Sequence, residues 1–185
     1  MRRLLCLVFV LLILSGCGKN SGLDDGMRLR NNLLQSNGCS FDTNITADYG
    51  EKMYTFSLHC QTDAAGRLTF SVTEPATIAG ITGVVDETGG KLTFDEKALA
   101  FPTIADGLIT PVGAPWLLVH GMTGGYLRAC EKKENGSHLV IDDSHRQSTV
   151  QIELYCDKSN QPVRGEIIWE GRRIITMDVM NFTFM

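Results

Sequence analysis

From Cys39 to the C-terminus the chain is dominated by a two-residue rhythm of apolar and polar positions. Phe41, Thr43 and Ile45 alternate with Asp42, Asn44 and Thr46, and after Asp48-Tyr49-Gly50-Glu51 come Tyr54, Phe56 and Leu58. Such alternation places one set of side chains on one face of a strand. A two-residue turn at Tyr49-Gly50 sets Phe41 opposite Leu58, Thr43 opposite Phe56 and Ile45 opposite Tyr54, so both apolar sets share a face. Leu68, Phe70 and Val72 repeat the pattern, and Pro75 ends that strand. Thr77 to Val85 reads as a strand bent at Gly80 and Gly83, followed by short strands at Lys91–Asp95 and Ala98–Phe101. Later strands are predicted at Tyr126–Lys133, His138–Asp142, Thr149–Cys156, Val163–Trp169 and Ile174–Phe184. Turn chemistry joins them at Asn135-Gly136, Asp142-Asp143-Ser144 and Glu170-Gly171.

Two segments leave this rhythm. Leu23, Met27, Leu33 and Leu34 recur at helical spacing and stop at Ser36-Asn37-Gly38, which predicts a short amphipathic helix. Between Thr103 and Thr123 lies the apolar block Trp116-Leu117-Leu118-Val119, with Pro115 suited to a first helical turn and Gly124-Gly125 to an end. The fold class is α+β, mostly β: about eleven strands in a strongly curved antiparallel sheet, a half-barrel covered by short helices.

The N-terminus follows a different rule. Arg2 and Arg3 precede an almost wholly aliphatic run from Leu4 to Leu14, too short for a permanent span, which needs roughly 20 residues. This is a secretory signal, and Leu14-Ser15-Gly16-Cys17 resembles the bacterial lipobox. That resemblance implies a diacylglyceryl group on Cys17 and cleavage before it. Residues 1–16 are then signal, 17–26 a polar, glycine-rich tether and 27–185 a single domain held at the cell membrane, facing its extracytoplasmic side. A plain signal peptide is the alternative. The chain has 17 Lys and Arg against 21 Asp and Glu, and loss of Arg2 and Arg3 deepens the formal charge of −4 to −6. An acidic domain without a basic cluster carries no nucleic-acid footprint and leaves membrane attachment to the acyl chains.

With the signal gone and Cys17 acylated, Cys39, Cys60, Cys130 and Cys156 remain. Outside the cytosol an even number of cysteines predicts disulfides, with free buried thiols as the alternative. The turn at Tyr49-Gly50 sets Cys39 directly opposite Cys60 at a non-hydrogen-bonded position, where Cα atoms about 4.5 Å apart are within reach of a bond. Cys130 and Cys156 then pair by elimination, although a meander puts the His138–Asp142 strand between them. No cysteine spacing suits zinc.

The strand Leu68-Thr-Phe-Ser-Val-Thr-Glu-Pro75 with Lys91-Leu-Thr-Phe-Asp95, and the last hairpin from Glu166-Ile-Ile-Trp169 through Ile174 to Asn181-Phe-Thr-Phe184, resemble the LolA-like lipoprotein carriers. That group includes LolA, LolB, RseB and the mycobacterial lipoproteins LppX and LprG. The resemblance implies a half-barrel with a helical lid around an apolar cavity for acyl chains. The sequence departs from the sorting chaperone in being lipidated itself, and no residue stands out as the counterpart of its key arginine. Binding of a lipid or other apolar ligand is therefore the inference, ahead of lipoprotein sorting. The cavity candidates are Leu68, Phe70, Val72, Phe94 and Trp169 on the sheet and Trp116, Leu117 and Val119 on the lid. The alternative is a structural or protein-interaction lipoprotein with a filled core.

Catalytic signatures are missing from the sequence: it has no GxSxG, P-loop, GxGxxG or HExxH, and its four histidines are scattered. No enzyme activity, cofactor or metal is expected. Asp142-Asp143-Ser144-His145 reads as a surface turn, and Glu166 and Glu170 as solvated edge charges.

Overall fold

The computed structural model describes residues 21–87, 89–94, 97–98, 102–142 and 150–185, with the side chains of 89–98 left aside. In chain order the elements are helix α1 (Ser21–Gln35), strands β1 (Cys39–Asp48), β2 (Met53–Thr62), β3 (Leu68–Glu74), β4 (Thr82–Asp86), β5 (Gly89–Phe94) and β6 (Lys97–Ala98), helix α2 (Ala114–Gly124), then β7 (Tyr126–Lys133), β8 (Gly136–Asp142), β9 (Val150–Cys156), β10 (Pro162–Trp169) and β11 (Arg172–Phe184). They build one open antiparallel sheet in the order β6-β5-β4-β3-β2-β1-β11-β10-β9-β8-β7. Nine of these strands have described side chains; β5 and β6 extend the β4 edge as backbone. The predicted strand over Thr77–Val85 is shorter, because residues 75–80 form turns closed by Ile78 N–H to Pro75 O and Gly80 N–H to Val72 O. Asp95 and 99–101, predicted as strand, lie outside the described residues.

Alternation decides the inner face. Cys39, Phe41, Thr43, Ile45 and Ala47 of β1 are buried, as are Phe56, Leu58 and Cys60 of β2 and Leu68, Phe70 and Val72 of β3. Val150, Ile152 and Leu154 of β9 and Ile175, Met177 and Val179 of β11 join them in one core. The β1–β2 register differs from the sequence expectation by two residues. Asp48 pairs with Met53, so Phe41 faces Cys60, Thr43 faces Leu58 and Ile45 faces Phe56. The cause is a four-residue connection: Tyr49 N–H bonds Lys52 O at 2.9 Å, the Asp48 carboxylate accepts Gly50 N–H at 2.7 Å, and Gly50 holds φ +90°. A shift of two preserves every face, because the side-chain period is two.

The sheet is bent around α2. A methyl at Gly113, just before the helix, would sit 3.9 Å from Val85 Cγ1 on β4, and one at Gly121 would sit 2.5 Å from Ile152 Cδ1 on β9. These glycines are about 12 Å apart along a helix. In a flat sheet β4 and β9, six strand spacings apart, would be separated by about 29 Å. One short helix touches both only if the sheet wraps it.

Candidate functional site

The concave face holds α2, whose residues Ala114 to Val119, Gly121 and Met122 are all buried. A short 3-10 turn, Pro111–Gly113, leads into it, and Pro115 occupies the first turn, where its missing N–H leaves nothing unpaired. Most surface helices keep a polar side; this one has almost none. Close approach is built into the glycines. A methyl at Gly165 on β10 would meet Leu118 Cδ1 at 2.9 Å, so Leu118 lies on bare strand backbone.

Few polar bonds tie α2 to the rest of the described chain. Trp116 Nε1–H donates to Gly66 O in the β2–β3 turn at 2.9 Å, and its ring stacks on His120 at 4.6 Å. At the other end Arg30 of α1 donates from Nε to Met122 O at 2.8 Å and from its guanidinium to Gly125 O at 2.6 Å. These carbonyls are among those a helix C-terminus leaves without partners, and the charge suits the negative end of the helix dipole. Sequence reading missed Arg30, because its partners lie 92 and 95 residues away.

The space around α2 is unevenly filled. Where α1, α2, β7 and β8 meet, Gly26, Leu29, Met122, Leu127, Leu139 and Ile141 leave only ≈ 10 Å³, about the limit for one water. Beside the helix an open groove of ≈ 370 Å³ runs past Leu33, Leu34, Thr62, Gly66, Val119 and His120. Of the predicted cavity residues, Leu68, Phe70, Val72, Trp116, Leu117 and Val119 lie in the same core cluster. Trp169 is half-buried at the far end of β10, whereas Trp116 is bonded to the β2–β3 turn at the opposite end of the strands. The Phe94 side chain lies outside the described residues.

The predicted disulfides are not formed; all four cysteines are free thiols. With the longer turn, Cys39 faces the level of Thr62, whose hydroxyl accepts its N–H at 2.8 Å, while Cys60 pairs with Phe41. The direct opposition that a bond required is gone. Cys130 pairs with Leu139 and Cys156 with Ser137, so β8 stands between them. Burial pushes the Cys39 and Cys60 thiols up, and Cys156 to about 12.

Outside the concave face, Glu166 corrects a second expectation. It is buried, and its carboxylate accepts from Arg164 Nε at 2.8 Å and from Arg173 at 3.2 Å, on an internal strand. Glu170 is exposed in the β10–β11 turn with φ +49°. His138 Nε2 lies 3.0 Å from Glu153 and stacks on Tyr155, and His59 pairs with Asp42 at 2.7 Å, each across neighbouring strands. Residues 143–145 of the candidate surface turn lie outside the described residues. Among the described residues no group of three metal-ligating side chains comes together.

No family profile matches the sequence, and no curated protein matches it. Among solved structures the chain is similar to a LolA superfamily protein from Nitrosomonas europaea, at 11% identity and TM-score 0.48, covering 89% of this chain and 93% of that one. A DUF1329 family protein from Desulfovibrio piger gives 10% identity and TM-score 0.49, over 89% and 92%. The Mycobacterium tuberculosis lipoprotein LppX gives 12% identity and TM-score 0.41, over 88% and 93%. At such scores the functional reading rests on this chain's own sheet and helices. In its structural likenesses, as in its sequence pattern, the chain resembles the LolA-like and LppX-like proteins.

Proposed function

We propose that this chain is a lipoprotein anchored through Cys17 on the extracytoplasmic side of the cell membrane, binding a lipid or other apolar ligand between the curved sheet and α2. It is a binder without catalytic chemistry. The observation that carries the reading is α2 itself: an apolar helix buried at Ala114–Val119, Gly121 and Met122 and open to the groove at His120, Thr123 and Gly124, held by Trp116 and Arg30 and bounded by Gly113 and Gly124-Gly125.

Magnitudes support an exchange rather than a free opening. Burying Trp116, Leu117, Leu118, Val119 and Met122 is worth about 8–15 kcal/mol at about 1.5–3 kcal/mol per large side chain. Releasing α2 into water would forfeit most of that. An acyl chain of about sixteen carbons taken up from water, as a free fatty acid is, brings about 12 kcal/mol of its own at about 0.8 kcal/mol per methylene, whereas one drawn from a bilayer is already out of water and trades lipid contacts for protein contacts. An acyl chain therefore compensates the helix for leaving its seat, and water does not. The open groove beside Val119 and His120 gives the chain its starting point.

A second reading, a filled-core lipoprotein that docks to an envelope protein, is favoured by the ≈ 10 Å³ left where α1 and α2 meet the sheet. Native mass spectrometry of the Cys17→Ser protein separates the two, together with titration of a fluorescent fatty acid. Co-purified lipid or saturable probe binding supports the carrier. A clean apo mass with no probe binding leaves the docking protein.

A further inference from the structure

Helix α1 has three faces. Gly22, Gly26, Leu29 and Leu33 are buried, and Asp24, Arg28, Asn32 and Gln35 form a polar side. Between them Leu23, Met27 and Leu34 fall within about 40° of arc on a helix of 3.6 residues per turn. All three are exposed, at 44%, 42% and 61%. An apolar stripe in water needs a partner.

The chain before α1 says which partner. Cys17 precedes Ser21 by four residues, a reach of at most about 14 Å when fully extended. Helix α1 lies across the end of the sheet that carries the β2–β3, β7–β8 and β9–β10 turns. Near its start, a methyl at Gly22 would fall on the Cys130 carbonyl, and Asn160 Nδ2 donates to Asp25 O at 2.9 Å. Past its end, Asn37 N–H donates to Met185 O at 2.7 Å and Met185 N–H to Gly38 O at 2.9 Å. Leu34, on the stripe, also lines the groove with Val119 and His120.

We infer that the α1 stripe Leu23–Met27–Leu34 lies in the bilayer interface beside the Cys17 anchor, so that the groove between α1 and α2 opens toward the membrane. This rests on the anchored, ligand-binding reading above and adds the surface through which a lipid would enter. A tether of about 14 Å holds the start of the stripe at the headgroups, where an apolar helix face is stabilised by partial burial. Met53, 68% exposed at the β1–β2 connection, lies at the other end of a ten-residue strand, about 30 Å away.

The two methionines give the test. Lipidated protein in phosphatidylcholine vesicles and Cys17→Ser protein in buffer are treated with chloramine-T, an anionic oxidant confined to water, and sulfoxide is read by mass spectrometry. The Met27-to-Met53 oxidation ratio should fall at least fivefold on the vesicle. A Leu23→Gln/Leu34→Gln variant, altered only at exposed positions, should regain at least half of that ratio. An unchanged ratio with Cys17 acylated overturns the inference. Equal protection of Met27 in the Cys17→Ser protein, rising with concentration, also overturns it and assigns the stripe to a second copy. An unacylated N-terminal peptide removes the anchor and the inference together. Protection of Met27 without any acyl-probe binding upholds this surface and ends the ligand reading.

Discussion

The two helices rest on the same curved sheet and follow opposite rules. Helix α1 keeps a polar side, an exposed apolar stripe and a narrow buried edge, whereas α2 is buried from Ala114 to Val119 and again at Gly121 and Met122. Helix α1 belongs to the boundary of the molecule, and α2 occupies its interior. Exchange is possible at different places on the two helices. A boundary helix can trade water for membrane at little cost, but an interior helix can trade its contacts only for other apolar matter. Few directional bonds hold α2, so its position depends mainly on contacts that an acyl chain reproduces.

The sharpest way to break this contrast is truncation on each helix. Trp116→Ala removes a side chain that is 4% exposed and donates to Gly66 O, and should cost about 3–5 kcal/mol in urea unfolding. Leu34→Ala, at a site 61% exposed, should stay within about 0.5 kcal/mol. Similar losses at both positions would show that α1 is as buried as α2 in solution.

The next effect lies between the helices. Arg30→Met removes two charge-assisted bonds to the last carbonyls of α2, each worth about 1.5–3 kcal/mol in the general case. Part exposure of Arg30 reduces this, so a loss of about 1–3 kcal/mol is expected, with faster amide exchange over residues 119–125 than in the wild type. Exchange that quickens equally in β9 would mean that Arg30 supports the whole fold rather than α2.

The smallest effect concerns the thiols under the helices. A Cys17→Ser protein lacking residues 1–16 should give four free thiols in denaturant, from Cys39, Cys60, Cys130 and Cys156, and fewer would restore a disulfide. Burial raises the Cys39, Cys60 and Cys156 thiols above the ordinary value of 9.0. A raised folded pKa means the unfolded chain loses its protons first. The stability these groups contribute is complete below pH 9 and declines as pH climbs from 9 toward 12. A urea midpoint that falls between pH 8 and pH 10.5, and falls less in a Cys60→Ala variant, checks the sign.

Much of this contrast could be read from the chain. Alternation gave the strands from Cys39 to Val72 and from Tyr126 to Phe184, and Pro115 with Gly124-Gly125 bracketed α2. The faces came out right even where the register did not, since the Tyr49–Lys52 connection moved β2 by an even number. That same shift undid the Cys39–Cys60 disulfide, which depended on register rather than face. Helix α1 begins at Ser21, inside the segment expected to be tether, because Gly22 and Gly26 suit its approach to Cys130 and Leu139 instead of breaking it. Burial of α2 from Ala114 to Val119 needed the bend of the sheet, and Arg30 needed contacts across more than ninety residues. Neither leaves a local mark on a sequence.

That an apolar ligand takes contacts from α2 is read out by amide hydrogen exchange with and without a saturating long-chain fatty acid. The ligand should speed exchange in residues 114–124 while β9 and β10 stay protected. Unchanged or slower exchange in α2 at saturation, or no saturable binding, would contradict it.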